Sequence, residues 1–121
     1  MATMFENDGV DDQGRVRLRA TGPITGAQAV STDANPFAIA IGDDWVDAKI
    51  VIDLQATNYV DSAGIGWLLA ISREIQASGG AVVLCGLGPQ LKEAFDLMRI
   101  SFVLPIADDV SAACELLSKA A

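Results

Sequence analysis

A chain of 121 residues, 51% of them hydrophobic and 20% charged, suits one compact domain with its own core, and two independent domains would be cramped. Sixteen acidic against eight basic residues give a net charge of −8, which argues against nucleic acid or an anionic membrane as the main partner. The sequence has no histidine, which removes Ser-His-Asp and Cys-His catalytic arrangements, histidine metal sites and the usual proton shuttle.

Residues 1–14 are acidic and rich in turn formers, and a short first strand is expected near Thr3 to Glu6. This start lacks the basic residues and apolar centre of a signal peptide, and no apolar run in the chain approaches the ~18 residues of a membrane span. A soluble, cytoplasmic protein is expected. From Arg15 to Ala20, Val16, Leu18 and Ala20 alternate with Arg15, Arg17 and Arg19, which predicts an edge or half-exposed strand. Gly22-Pro23 ends it. Ala27 to Thr32 can open a helix that Asn35-Pro36 interrupts. Phe37 to Ile41 and Trp45-Val46 then read as apolar anchors.

Ile50 to Leu54 and Ala81 to Cys85 are short apolar runs separated by a helical pattern from Ser62 to about Ala77. Strand, crossover helix, strand implies parallel pairing. On that helix Ile65, Leu68, Leu69, Ile71 and Ile75 share one broad arc, taking ~100° per residue. Trp67 lies just outside it, either as a half-covered rim residue or as an aromatic anchor for a partner. Gly79-Gly80 provides the exit. Gly88-Pro89 opens a helix with an apolar stripe of Leu91, Ala94, Phe95 and Met98, and Ser101 to Pro105 suggests a last short strand. Asp108 or Asp109 caps a final helix bearing Val110, Cys114 and Leu117 on one side. Cys85 and Cys114 show no metal-ligand spacing and read as buried, reduced thiols.

The chemistry concentrates at Asp61-Ser62, where the strand Ile50–Leu54 empties through a polar loop into the crossover helix. A helix N-terminus favours negative charge, so a hydroxyl there is well placed to carry phosphate. Ser62 can equally be an ordinary cap. A nucleophilic role fails: no histidine or nearby lysine takes the proton, Asp61 is a poor base at its ordinary pKa, and the GxSxG elbow is absent. Gly64 and Gly66 permit close approach, either of a partner or nucleotide or of the helix to the sheet. Asp43, Asp44 and Asp47 read as solvated acids. No metal site and no cofactor is expected.

The run IVIDLQATNYVDSAGIGWLL, followed by SGGAVVLCGLGPQLKEAFDLMRI, a short strand and a terminal helix, resembles the STAS family of anti-sigma-factor antagonists. The similarity extends over Arg15 to Leu117 and is strongest from Ile50 to Met98. It implies a single α/β domain over residues 1–121, with a mixed, mostly parallel sheet of four to five strands flanked by about four helices. It also implies a regulatory switch without intrinsic catalysis. By the resemblance, Ser62 is the phosphorylation site, and Asp61, Ala63 and Gly64 form its docking loop; Tyr59, Trp67 and Thr25 are further candidate partner-binding residues. The implied partners are an anti-sigma factor that is itself a serine kinase, bound when Ser62 is unphosphorylated, and a serine phosphatase. A monomer or weak homodimer is expected. Other branches of the family imply the alternative, a non-catalytic subunit of a stressosome-like assembly or of a lipid or anion transport complex. Thr25 stands where the family often carries an acid, and the Gly26 to Lys49 segment is longer than the family's usual first helix.

Overall fold

The computed structural model describes residues 5–26, 35–57 and 59–119, with backbone only for the last two. Five strands form one sheet whose spatial order is the order of the sequence. β1 (Phe5–Val10) and β2 (Arg15–Ala20) make an antiparallel hairpin, and β3 (Lys49–Asp53), β4 (Ala81–Cys85) and β5 (Ile106–Ala107) follow in parallel. Four helices are described: α1 (Pro36–Ile41), α2 (Ser62–Ala77), α3 (Pro89–Leu97) and α4 (Val110–Lys119). This is the mixed, mostly parallel α/β arrangement that the sequence implies.

The first strand runs to Val10, further than expected, while Thr3 lies outside the described residues. Of its six residues only Phe5 is buried, so β1 takes the edge position. β2 is therefore an interior strand with one open face rather than an edge. Asp11 closes the hairpin. Its carboxylate accepts from the backbone N–H groups of Gln13 (2.9 Å) and Arg15 (3.0 Å) and from the Arg15 guanidinium (2.5 Å). The Arg15 backbone N–H, with the guanidinium beside it, holds that carboxyl below its ordinary value.

Period-two alternation sends the two faces of the central strands to different helices. Ile50, Ile52, Val82 and Leu84 join Val16 and Leu18 in a core closed by Ile65, Leu68, Ile71 and Ile75 of α2 and by Leu91 and Phe95 of α3. Val51, Val83 and Cys85 point the other way, onto Ala113 and Leu117 of α4. β3 and β4 are thus buried on both faces, which is why they are continuous apolar runs. Leu69 is half-buried at the margin of the α2 arc.

Asn35-Pro36 starts a helix. The Asn35 carboxamide accepts from the Phe37 N–H (2.8 Å), with proline at the first helical position. The helix expected over Ala27 to Thr32 lies outside the described residues. Phe37 is fully buried and stacks on Phe5 (ring centroids 5.0 Å), Trp67 (5.5 Å) and Trp45 (6.4 Å). Asp43, Asp44 and Asp47 lie exposed on the 3₁₀ turn Asp43–Asp47 that carries Trp45.

Two expectations after β4 are corrected. Met98 leaves the α3 stripe, because the helix ends at Leu97 and Arg99 turns the chain with a left-handed φ of 55°. Ser101 to Pro105 is not a strand: Ile100–Phe102 is a 3₁₀ turn, and the last strand is Ile106–Ala107, paired with Leu84 and Cys85. Asp109, rather than Asp108, caps α4, accepting from the Ala112 N–H at 2.8 Å. Cys85 is fully buried as expected, whereas Cys114 is only half-buried.

Candidate functional site

The loop from β3 to α2 and the loop after β2 are sewn together at the carboxyl edge of the parallel strands. Ile24 forms an isolated parallel bridge with Val60, its N–H donating to the Tyr59 carbonyl (3.0 Å) and its carbonyl accepting from the Asp61 N–H (3.2 Å). Below them the buried Thr57 hydroxyl donates to the Gly22 carbonyl at 3.0 Å. Sequence reading missed this seam, since 35 positions separate Gly22 from Thr57 and no local pattern couples them.

Asp61 is the centre of the arrangement. It caps α2, its Oδ1 accepting from the Gly64 N–H at 2.6 Å, and the same oxygen accepts from the Gly26 N–H at 3.0 Å. One carboxylate therefore both starts the helix and holds the loop that carries Thr25. The glycines answer to the same closeness. A Cβ on Gly64 would lie 2.6 Å from the Ile24 carbonyl oxygen, and one on Gly26 would collide with the Ala63 methyl. Gly64 thus serves the packing of α2 against this loop and is itself buried. Gly66 faces open space.

Because Asp61 takes the capping role, Ser62 is released from it. Ser62 occupies the first position of α2, exposed, and its hydroxyl makes no hydrogen bond among the described residues. Exposed Ala63 follows it, Tyr59 lies open on the preceding loop (55% exposed), and half-buried Thr25 reaches this edge through the Ile24–Val60 bridge. The topology therefore brings Thr25, Tyr59, Asp61, Ser62 and Ala63 to one corner. Trp67 stands apart. It is half-buried and stacked on Phe37 and Phe5 (6.3 Å), the rim arrangement that its place on the helix allowed.

Among the described residues no cluster of acids or cysteines has the makings of a metal site, and no helix is long and apolar enough to cross a membrane. Chemically the corner offers the Ser62 hydroxyl at the positive end of a helix, on a backbone fixed by part-buried hydrogen bonds.

The model of the STAS domain matches residues 6–113, and the chain belongs to that family. Among curated relatives it is 28% identical to BtrV of Bordetella bronchiseptica, provisionally named an anti-sigma factor antagonist, over 76% of this chain and 77% of that one. The solved structure of the anti-sigma factor antagonist SpoIIAA in its unphosphorylated form superposes with a TM-score of 0.61 at 22% identity, covering 96% of each chain. The murine anion transporter Slc26a9 contains a similar fold, with a TM-score of 0.70 at 15% identity over 88% of this chain and 18% of the transporter. At such identities the two structures speak to the fold.

Proposed function

We propose that this STAS domain is a protein-binding switch of the anti-sigma-factor-antagonist kind. It binds an anti-sigma factor that is a serine kinase through the corner formed by Thr25, Tyr59, Ser62 and Ala63. Transfer of a phosphoryl group to the Ser62 hydroxyl releases it, and a serine phosphatase restores the binding form. The observation that carries the reading is the division of labour at the start of α2: Asp61 caps the helix, so the exposed Ser62 hydroxyl is free to be modified. Phosphorylation adds about −1.5 to −2 charges at neutral pH. The helix N-terminus offsets roughly 0.3–1 kcal/mol of the electrostatic cost. The neighbouring Asp61 carboxylate opposes it, though two backbone N–H groups already engage that carboxylate. The fold therefore tolerates the change while the surface seen by a partner is altered. The relative in Bordetella bronchiseptica and the full-length likeness to SpoIIAA favour this branch of the family.

Incubation with the cognate kinase and ATP is expected to add one phosphate per chain, and Ser62→Ala to abolish the labelling. Undiminished labelling of the alanine variant would overturn the site assignment. The likeness to part of Slc26a9 supports a second reading, an accessory domain of a transport complex. Co-purification separates the two: a kinase-like protein favours the switch, and a transport protein the accessory role.

A further inference from the structure

We propose that Asp61 is a relay: a phosphate on Ser62 displaces its carboxylate from the Gly26 N–H, so that modification of α2 also resets the neighbouring loop that carries Thr25. The inference deepens the switch reading and rests on it. One oxygen carries the coupling. Asp61 Oδ1 accepts from the Gly64 N–H at 2.6 Å and from the Gly26 N–H at 3.0 Å, so α2 and the loop after β2 meet at a single charged atom. Ser62 is the next residue along, exposed at the first position of α2. Gly26 also lies close against Ala63, since a Cβ on it would collide with the Ala63 methyl.

Phosphate brings about −1.5 to −2 charges beside that carboxylate. The two anions then compete for the N–H groups at the start of α2, and adjacent like charges repel. The carboxylate has two bonds to lose, and the longer one, to Gly26, gives way first. The rest of the loop does not depend on a charge. Ile24 is fully buried, its N–H donating to the Tyr59 carbonyl at 3.0 Å and its carbonyl accepting from the Asp61 N–H at 3.2 Å. Farther back, the Thr57 hydroxyl holds the Gly22 carbonyl at 3.0 Å. The loop is thus pinned at Gly22 and Ile24 by neutral groups and at Gly26 by an anion. Charge on Ser62 withdraws the last pin alone, and the change stays within Thr25 and Gly26. A partner that reads Thr25 together with Ser62 loses both features through one modification.

The test uses the full chain with phosphoserine incorporated at position 62 during translation. No kinase is involved, so a kinase that ignores Ser62 is a separate result, which counts against the switch and not against the relay. Residue-resolved amide hydrogen exchange is the readout. The Gly26 amide is expected to exchange about tenfold faster in the phosphorylated chain, through loss of one hydrogen bond to a charged group, while the Ile24 and Asp61 amides stay within about twofold. In Asp61→Asn the asparagine caps the helix as aspartate does but is neutral, so phosphoserine should leave Gly26 exchange unchanged. Ser62→Asp should reproduce part of the acceleration and Ser62→Asn none, a comparison that stands even if the Asp61 variant fails to fold. Equal Gly26 exchange in the modified and unmodified chains would overturn the relay. So would an acceleration that persists in Asp61→Asn, or one shared by Ile24, which would mark loosening of the whole corner.

Discussion

Asp61 and Gly64 share one hydrogen bond and one constraint. The carboxylate needs the Gly64 N–H at 2.6 Å, and that approach leaves no room for a side chain beside the Ile24 carbonyl. Gly64→Ala is therefore expected to destabilise the protein by about 1–3 kcal/mol through steric overlap. Gly66→Ala, two residues on in open space, should stabilise it by about 0.5–1 kcal/mol, because a glycine in a helix costs entropy that alanine does not. Urea denaturation of both variants checks the pair, and opposite signs are the required result. The sequence offered two reasons for these glycines, and local pattern had no means of dividing them: the loop that crowds Gly64 comes from residues far back along the chain. Ser62 was legible as a candidate from its place before a helix, but its release from capping depended on which of two adjacent residues took that role.

At the scale of elements, legibility followed burial. β3, α2 and β4 were plain because strands covered on both faces are continuous apolar runs and an amphipathic helix between them has its own period. β1 was read only as far as Glu6, because the rest of an edge strand with one buried residue looks like a polar loop. β5 was misplaced because Phe102, Val103 and Leu104 form an apolar run of the kind that usually marks a strand, although only Leu104 is buried. The double burial of β4 has a measurable effect at Cys85. Burial, with the Asp53 charge adding to it, pushes the thiol from 9.0 up to about 12. A thiol raised in the folded state leaves stability intact below its unfolded pKa and takes it away as pH climbs from about 9 toward about 12, where only the unfolded chain ionises. Cys85→Ala is expected to flatten that alkaline limb relative to the parent, as read by denaturation midpoints across pH. Parallel curves would show that the thiol does not contribute.

For the molecule as a whole, the proposed switch places its chemistry on the surface and its rigidity beneath. Ser62→Asp should therefore lower affinity for the kinase partner, measured by titration calorimetry, while shifting the melting temperature by no more than about 2 °C, a surface substitution being worth within about 0.5 kcal/mol. Global unfolding of this variant would contradict a switch confined to the surface. The family was readable from one central stretch because it contains both the doubly buried strands and the serine loop. The outward turn of Phe102 and Val103 was not readable, since it follows a left-handed residue in the backbone that carries no sequence mark when it is arginine.

The side-by-side order of β1 to β5 has a further consequence for how the protein is made. A ribosome delivers the strands in the order in which they lie, so each can add to the sheet edge already present. The far face of β3 and β4 is the exception, since α4, which covers Val51, Val83 and Cys85, emerges after every strand. Any state in which the sheet has formed before α4 docks leaves Val51, Val83 and Cys85 bare on one side, and the arrival of Ala113 and Leu117 covers them.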